Sequence, residues 1–364
     1  MKKHNIPAWI YKIPQYVPGR SKEEISRAYG IENPIKMASN ENPLGASPMA
    51  LEAMKKYRYM VNLYPDPLAY ELRKTAAQAF NCGIEQIIAG NGSDEIIDLI
   101  CKVYIEPGDE VIIPQYTFSY YEIAALSCGA HVVHVPMQGL DTDTGAIKDA
   151  IGNRTKILFI ANPNNPTGVY LNKDSLSQLI GGIPDDVLVV IDEAYAPFVR
   201  ADNFTSGVNL IDTKAKIFVL MTLSKSHGLA GLRVGFGIAK ESLLDPIWRI
   251  KPPFNVNTLA QKAGIAALED TKFLQDTITH TWRELDYLCA RFEELGLEFV
   301  PTQTNFILVK IGKNTRDVYE SLLKKGIIVR NMASYGLDEY IRVSVGLSHE
   351  NISFITALKE ILKR

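Results

Sequence analysis

The chain has 364 residues, of which 46% are hydrophobic and 22% charged, and a formal net charge of -2 at pH 7. That length exceeds one ordinary core and falls short of three, so two domains are expected. A near-neutral balance without a basic stripe or tail argues against nucleic acid and anionic membrane as partners and points to a small-molecule ligand. No segment approaches the roughly 20 apolar residues that a membrane helix needs.

The first 30 or so residues are proline-rich with a few aromatics and read as an arm, residues 1–31, outside either core. Lys2 and Lys3 open it, and Pro7, Lys12 and Pro14 interrupt any apolar stretch long enough for a secretion signal. Four scattered cysteines, Cys82, Cys101, Cys128 and Cys289, lack a Cys-x-x-Cys pair and read as buried reduced thiols, which implies a cytoplasmic setting. His131 and His134 cannot share a strand face at a spacing of three, so they read as core or surface residues rather than metal ligands.

From about residue 86 to 240, short apolar runs alternate with helical patterns, the signature of a mostly parallel sheet wrapped by helices. Residues 86–89, 110–113, 131–135, 156–160, 187–191, 217–221 and 233–238 are the expected strands, several apolar throughout and so buried on both faces. Lys251-Pro252-Pro253-Phe254 marks a change of character. Beyond it a long helix-like region spans 258–295, strand patterns cover 298–311, 326–330 and 340–345, and an amphipathic helix closes the chain at 349–363. The expected division is a large α/β domain over 32–250 and a smaller α+β domain over 251–364.

In such sheets ligands sit beyond the carboxyl ends of the strands. Gly90-Asn91-Gly92-Ser93-Asp94-Glu95 is a glycine turn that opens a helix and presents unpaired backbone N–H groups to an anion, although ordinary helix starts use the same residues. Asp94 and Glu95 would repel a phosphate, so the contacts there are expected from the amides and the Ser93 hydroxyl. Ala161-Asn162-Pro163-Asn164-Asn165-Pro166-Thr167-Gly168 is a rigid turn with projecting side-chain amides. Asp192, ending a buried strand in Asp192-Glu193-Ala194-Tyr195, is costly unless it meets a cation, and by itself reads equally as an ion pair or a helix cap.

Thr222-Leu223-Ser224-Lys225-Ser226-His227-Gly228-Leu229-Ala230-Gly231-Leu232-Arg233 places a hydroxyl-flanked lysine eight positions before an arginine. Small residues let the backbone close around a phosphate that Thr222, Ser224 and Arg233 would bind, with Lys225 reaching an aldehyde of the same ligand. In isolation the lysine would be a solvated loop charge. Burial beside another cation would make it a nucleophile.

These residues, with Asn40-Glu41-Asn42-Pro43-Leu44-Gly45 and Tyr64-Pro65-Asp66-Pro67, resemble the fold-type I pyridoxal phosphate aminotransferases, and within them the histidinol-phosphate aminotransferase family. The resemblance runs from Tyr16 to the last helix. It implies the fold-type I architecture, pyridoxal 5'-phosphate as cofactor, and Lys225 as the residue that forms the internal aldimine. Asp192 would pair with the pyridinium, Asn165 and Tyr195 would bind the phenolate oxygen, and Phe118 would stack on the ring unless it is plain core. The backbone of Ser93, Asp94 and Glu95, with Thr222, Ser224 and Arg233, would hold the phosphate, joined by Tyr64 from the other subunit of a homodimer with shared sites. Tyr16, Asn40, Arg330 and Arg342 would bind substrate, the arginines reading otherwise as surface ion pairs.

The reaction so implied is ping-pong transamination between L-histidinol phosphate and 2-oxoglutarate, giving imidazole acetol phosphate and glutamate in histidine biosynthesis. An aromatic amino-acid aminotransferase and a threonine-phosphate decarboxylase share the cofactor residues. A non-catalytic ligand-sensing domain is disfavoured by the intact Lys225.

Overall fold

A computed structural model describes residues 6–213 and 216–363 of the chain. Lys2 and Lys3 of the arm lie outside the described residues. Ala8–Lys12 forms a 3₁₀ turn, and Lys22–Tyr29 forms a helix whose first turn is capped by Ser21, its side chain accepting from Glu24 N at 3.1 Å. The chain then enters β1 (Ile35–Lys36) and the helices Pro48–Tyr57 and Tyr70–Ala79 before the main sheet begins.

Seven strands build that sheet: β2 (Ile87–Asn91), β3 (Glu110–Pro114), β4 (His131–Val135), β5 (Thr155–Ala161), β6 (Leu188–Asp192), β7 (Lys216–Thr222) and β8 (Val234–Ala239). Their order is β2-β8-β7-β6-β5-β3-β4, and only β8 runs antiparallel to its neighbours. All seven coincide with the expected strands to within one or two residues. The apolar runs of β5 and β6 are buried on both faces, Leu158, Ile160, Val189 and Ile191 in one core and Ile157, Phe159, Leu188 and Val190 in the other. His134, on edge strand β4, lies 3.3 Å from Glu122. Of the four cysteines only Cys101 is fully buried, and the others are partly exposed.

The second core holds a sheet ordered β12-β13-β10-β9, from β9 (Phe299–Val300), β10 (Phe306–Lys310), β12 (Arg330–Asn331) and β13 (Tyr340–Ser344), with β11 (Ile327–Ile328) pairing parallel to β1. The last helix is Ser348–Leu362. The helix-like stretch 258–295 is two helices, Thr258–Glu269 and Thr271–Glu294, separated at Asp270, which caps the second by accepting from Phe273 N at 3.1 Å.

Packing separates the cores elsewhere than the proline-rich change of character suggests. Ala260, Ala263 and Ala267 of the helix Thr258–Glu269 are buried in the large core with Leu72 and Ala76. Conversely Met37 packs with Phe292 and Val343, and Ile25 and Ala38 pack with Leu323 and Ile328. The chain therefore contributes to the small core twice, and the segment around residues 37–40 passes between the two. Small alanines on one helix face read as neutral in sequence, and only their neighbours assign them to a core.

Candidate active site

Strands β5 and β6 end level with one another, Ala161 opposite Asp192, and β7 runs two residues past Leu220, the partner of Asp192. The turns that follow them converge on one pocket, lined by Asn165, Asp192, Tyr195, Thr222, Ser224 and Lys225 from this sheet edge. Ser93, Asp94, Phe118 and Arg233 line it from the flanking strands, and Tyr16, Asn40, Arg330 and Arg342 from the arm, the 37–40 segment and the small domain. Residues more than 300 positions apart in sequence thus face one cavity.

One end suits a phosphate. The helix Ser93–Tyr104 begins at Gly92, which has φ 81° and no side-chain cap, leaving first-turn N–H groups free for an anion. A Cβ on Gly92 would collide with the Arg233 guanidinium, and one on Gly235 with Ser93 N, so both glycines are needed for this approach. Thr222 Oγ1 donates to Ser224 Oγ at 3.0 Å, setting the two hydroxyls side by side. Arg233 donates to Asp94 Oδ2 at 3.0 Å. Asp94 also lines the pocket, and its carboxylate is paired with that arginine, while the amides and the Ser93 hydroxyl are the phosphate contacts expected there. Glu95 does not line the pocket: its carboxylate turns back to accept from Asn91 N and Asn255 Nδ2, each at 2.7 Å.

The pocket is also lined by Asp192, 7% exposed, which accepts from Tyr121 Oη at 2.7 Å and Ala194 N at 3.0 Å. Burial raises its pKa, against the pull of the Tyr121 hydrogen bond. Both its bonds come from neutral donors, so the carboxylate keeps its negative charge available to a basic atom in the pocket.

Lys225 lines the same pocket. Its Nζ donates to Ser39 O at 3.2 Å and stands 5.9 Å from the centre of the Tyr195 ring. Burial first, and the Arg342 charge second, bring its pKa down to about 8. At pH 7 about a tenth of the side chain is then the free amine, against about one part in 3,000 for a lysine near 10.5.

Two donors aim into the pocket, and their polarity follows from their partners. Arg342 can only donate, and its Nη1 bonds Asn165 Oδ1, so the Asn165 amide nitrogen is left as donor. Asn40 Nδ2 donates to Tyr195 Oη at 2.8 Å, so the tyrosine proton is left for the pocket.

Arg330 and Arg342 face each other across the β12–β13 pair. Both are buried, at 8% and 7% exposure, so neither is a surface ion pair. Like charges directly opposite are unfavourable. Yet their hydrogen bonds go to neutral oxygens, Arg330 Nη2 to Val17 O and Arg342 Nη2 to Ala38 O at 2.8 Å, and Arg342 Nε has no partner. Such a pair is built to share an anion. Tyr16, half-exposed, closes the same wall.

Tyr64 does not reach this pocket within its own chain; it is 83% exposed and stacks on Phe254 with ring centres 4.6 Å apart. Sequence reasoning missed Tyr121, fully buried, stacked on Phe159 at 4.7 Å and bonded to Asp192, and also Tyr335 beside the arginines. A buried tyrosine needs a hydroxyl partner, but nothing local in sequence pairs positions 71 residues apart.

A pocket with an anion-binding helix start, a depressed lysine, an isolated carboxylate and paired arginines is a site for an anionic substrate and a phosphate-bearing group. The model of class I and II aminotransferases matches residues 32–356, and the chain belongs to that family. Its relatives there include histidinol-phosphate aminotransferases: that of Moorella thermoacetica is 42% identical over 97% of this chain and 92% of its own, and that of Halalkalibacterium halodurans 37% over 97% and 96%. Among solved structures, histidinol-phosphate aminotransferase from Sinorhizobium meliloti in complex with pyridoxal-5'-phosphate superposes with a TM-score of 0.91 at 23% identity, covering 100% of this chain and 99% of that one. At that identity the likeness is one of fold.

Proposed function

We propose that the protein transfers the amino group of L-histidinol phosphate to 2-oxoglutarate, giving imidazole acetol phosphate and glutamate, with pyridoxal 5'-phosphate as cofactor. The observation that carries this reading is the single pocket that joins Lys225 and Asp192 to the buried, carboxylate-free pair Arg330 and Arg342. The 42% identity to a histidinol-phosphate aminotransferase over 97% of the chain supports the choice of substrate.

The residues fit the cofactor at each of its polar atoms. The first turn at Ser93, with Thr222, Ser224 and Arg233, would hold the phosphate. Asp192 would face the ring nitrogen and keep it protonated, since a carboxylate beside it favours the charged form. Asn165 and Tyr195 would donate to the phenolate oxygen. Phe118 would cover one ring face, and Tyr121 would fix the Asp192 carboxylate. When bound, the group supplies an electron sink for the negative charge left on the substrate carbon after its proton departs.

Around that chemistry the chain's own groups divide the work. Lys225 would hold the cofactor through its aldehyde, and its Nζ, as a neutral amine, would take the proton from the carbon that bears the substrate's nitrogen. Arg330 and Arg342, with Tyr16, bind the phosphate of histidinol phosphate in one half-reaction and the carboxylates of glutamate in the other. Both substrates are anions, so one cationic wall serves both. Asn40 supports this wall's neighbour, Tyr195, rather than standing alone as a ligand.

The enzyme acts as a homodimer in the cytoplasm, with Tyr64 of each subunit completing the phosphate site of the other. Support comes from the exposed apolar run around it: Tyr59, Val61, Leu63, Tyr64 and Leu68 all face outward. Among the described residues no helix is long and apolar enough to cross a membrane.

Incubation with histidinol phosphate and 2-oxoglutarate should yield glutamate. Lys225→Ala should retain pyridoxal phosphate without a covalent link and lose this activity by several orders of magnitude. Near-normal glutamate formation by that variant would remove the lysine from the reaction. Carbon dioxide release from threonine phosphate as the main activity would overturn the assignment.

A further inference from the structure

Four consecutive carbonyls of the segment between the cores each accept a hydrogen bond, two from β13 and two from the turns that carry Lys225 and Asn305. Met37 O accepts from Ser344 N at 2.8 Å, Ala38 O from Arg342 Nη2 at 2.8 Å, Ser39 O from Lys225 Nζ at 3.2 Å and Asn40 O from Asn305 Nδ2 at 3.0 Å. This segment ends at Asn40, which is 1% exposed and adopts φ 54°, a left-handed conformation that asparagine tolerates better than most residues. Arg342 and Lys225 bond the carbonyls before it, and Ser344, at the end of β13, bonds both the backbone and the side chain of Asn40 itself.

We infer that Ser344 is a positioning residue for the Tyr195 hydroxyl, acting through Asn40. Asn40 N donates to Ser344 Oγ at 2.8 Å, and a backbone N–H can only donate. The serine oxygen accepts there, so its one proton goes to Asn40 Oδ1, also at 2.8 Å. With its carbonyl oxygen taken, the Asn40 amide presents Nδ2 to Tyr195 Oη at 2.8 Å. Tyr195 accepts, and its own proton must then point elsewhere, into the pocket that its ring lines. The direction of the whole relay is set at its origin by a group that cannot reverse. Ser344 and Asn40 are both buried, so water does not compete for these bonds.

Without the serine hydroxyl, nothing orients the Asn40 amide. It can then turn its oxygen to Tyr195 and draw the tyrosine proton out of the pocket. The inference rests on the reading above in which Tyr195 donates to the cofactor's phenolate oxygen. A donor there stabilises the anionic oxygen and lowers the pH at which the bound cofactor loses its proton.

The test is a pH titration of the visible absorbance of the holoenzyme, a readout that does not depend on turnover. Tyr195→Phe should raise the midpoint by about one pH unit, the scale of one lost hydrogen bond to an ionised oxygen. Ser344→Ala should raise it in the same direction, Ser344→Thr should restore the wild-type midpoint, and Ser344→Ala should add nothing in the Tyr195→Phe background. Should Ser344→Ala fail to fold, Asn40→Asp serves: its carboxylate cannot donate to Tyr195, so it should also raise the midpoint. A shift in Tyr195→Phe with none in Ser344→Ala or Asn40→Asp overturns the relay and leaves the role of Tyr195 standing. An unshifted midpoint in Tyr195→Phe overturns that role and the relay together.

Discussion

Lys225 and Arg342 donate to neighbouring carbonyls of one backbone segment, the lysine to Ser39 O at 3.2 Å and the arginine to Ala38 O at 2.8 Å. The arginine comes from the small core and the lysine from the large one. Their shared anchor holds two cations in one pocket, and the arginine charge is the largest contribution after burial to the lysine's depressed pKa.

This proximity makes the lysine's titration a probe of the arginine. In the cofactor-free protein, acylation of Lys225 by an amine-directed reagent, followed by peptide mass spectrometry, should have a midpoint near pH 8. Arg342→Gln removes a neighbouring positive charge that favours the neutral amine, so the midpoint should move upward. An unchanged midpoint would mean that burial alone depresses the lysine.

Shared sites in a homodimer predict complementation between two inactive subunits. Tyr64→Ala and Lys225→Ala homodimers should each be far below wild type in activity. After mixing and subunit exchange, half of the dimers carry one subunit of each kind, and one of their two sites is intact. Activity should recover to about a quarter of the wild-type value. Absence of any recovery, with exchange confirmed by mass spectrometry, would place Tyr64 outside the site.

Glu193 gives a stability prediction with a defined sign. It is buried, accepts from Ser206 Oγ at 2.6 Å and Gly207 N at 2.5 Å, and burial raises its pKa to about 7. Because the folded value lies above the unfolded one near 4.5, the folded state holds its proton between pH 4.5 and 7 while the unfolded state releases it. This contribution is complete below pH 4.5 and is lost as pH rises through 7. Glu193→Gln cannot ionise, so its stability relative to wild type in urea should improve by about 2–3 kcal/mol between pH 4.5 and 8. His227, pushed down to about 4 by burial, is common to both proteins and cancels in the difference. A pH-independent difference would contradict the assignment.

Much of this site was legible because its chemistry is local to strand ends. The apolar runs of β5, β6 and β7 locate the sheet edge; Asp192 ends β6, and Asn165 and Lys225 follow β5 and β7 within a few residues. What was not legible depends on contacts between distant segments. Asp94 and Glu95 are adjacent in sequence with the same charge, but a helical turn sends one to Arg233 and the other to Asn255. Tyr121 looks like any core aromatic until Asp192 is set against it. Ser344 lies 304 positions from Asn40, and neither has a local partner that reveals the other. Arg330 reads in sequence as a substrate ligand or equally as a surface ion pair, and its burial opposite Arg342 removes the second reading.

The central claim is the phosphate ester as substrate, and it is tested most directly by comparing kcat/KM for histidinol phosphate and for phenylalanine, each with saturating 2-oxoglutarate. The paired arginines predict a preference for histidinol phosphate of at least a hundredfold, the effect of about 3 kcal/mol from a phosphate bound by buried guanidinium groups. Equal efficiencies on the two substrates would contradict it.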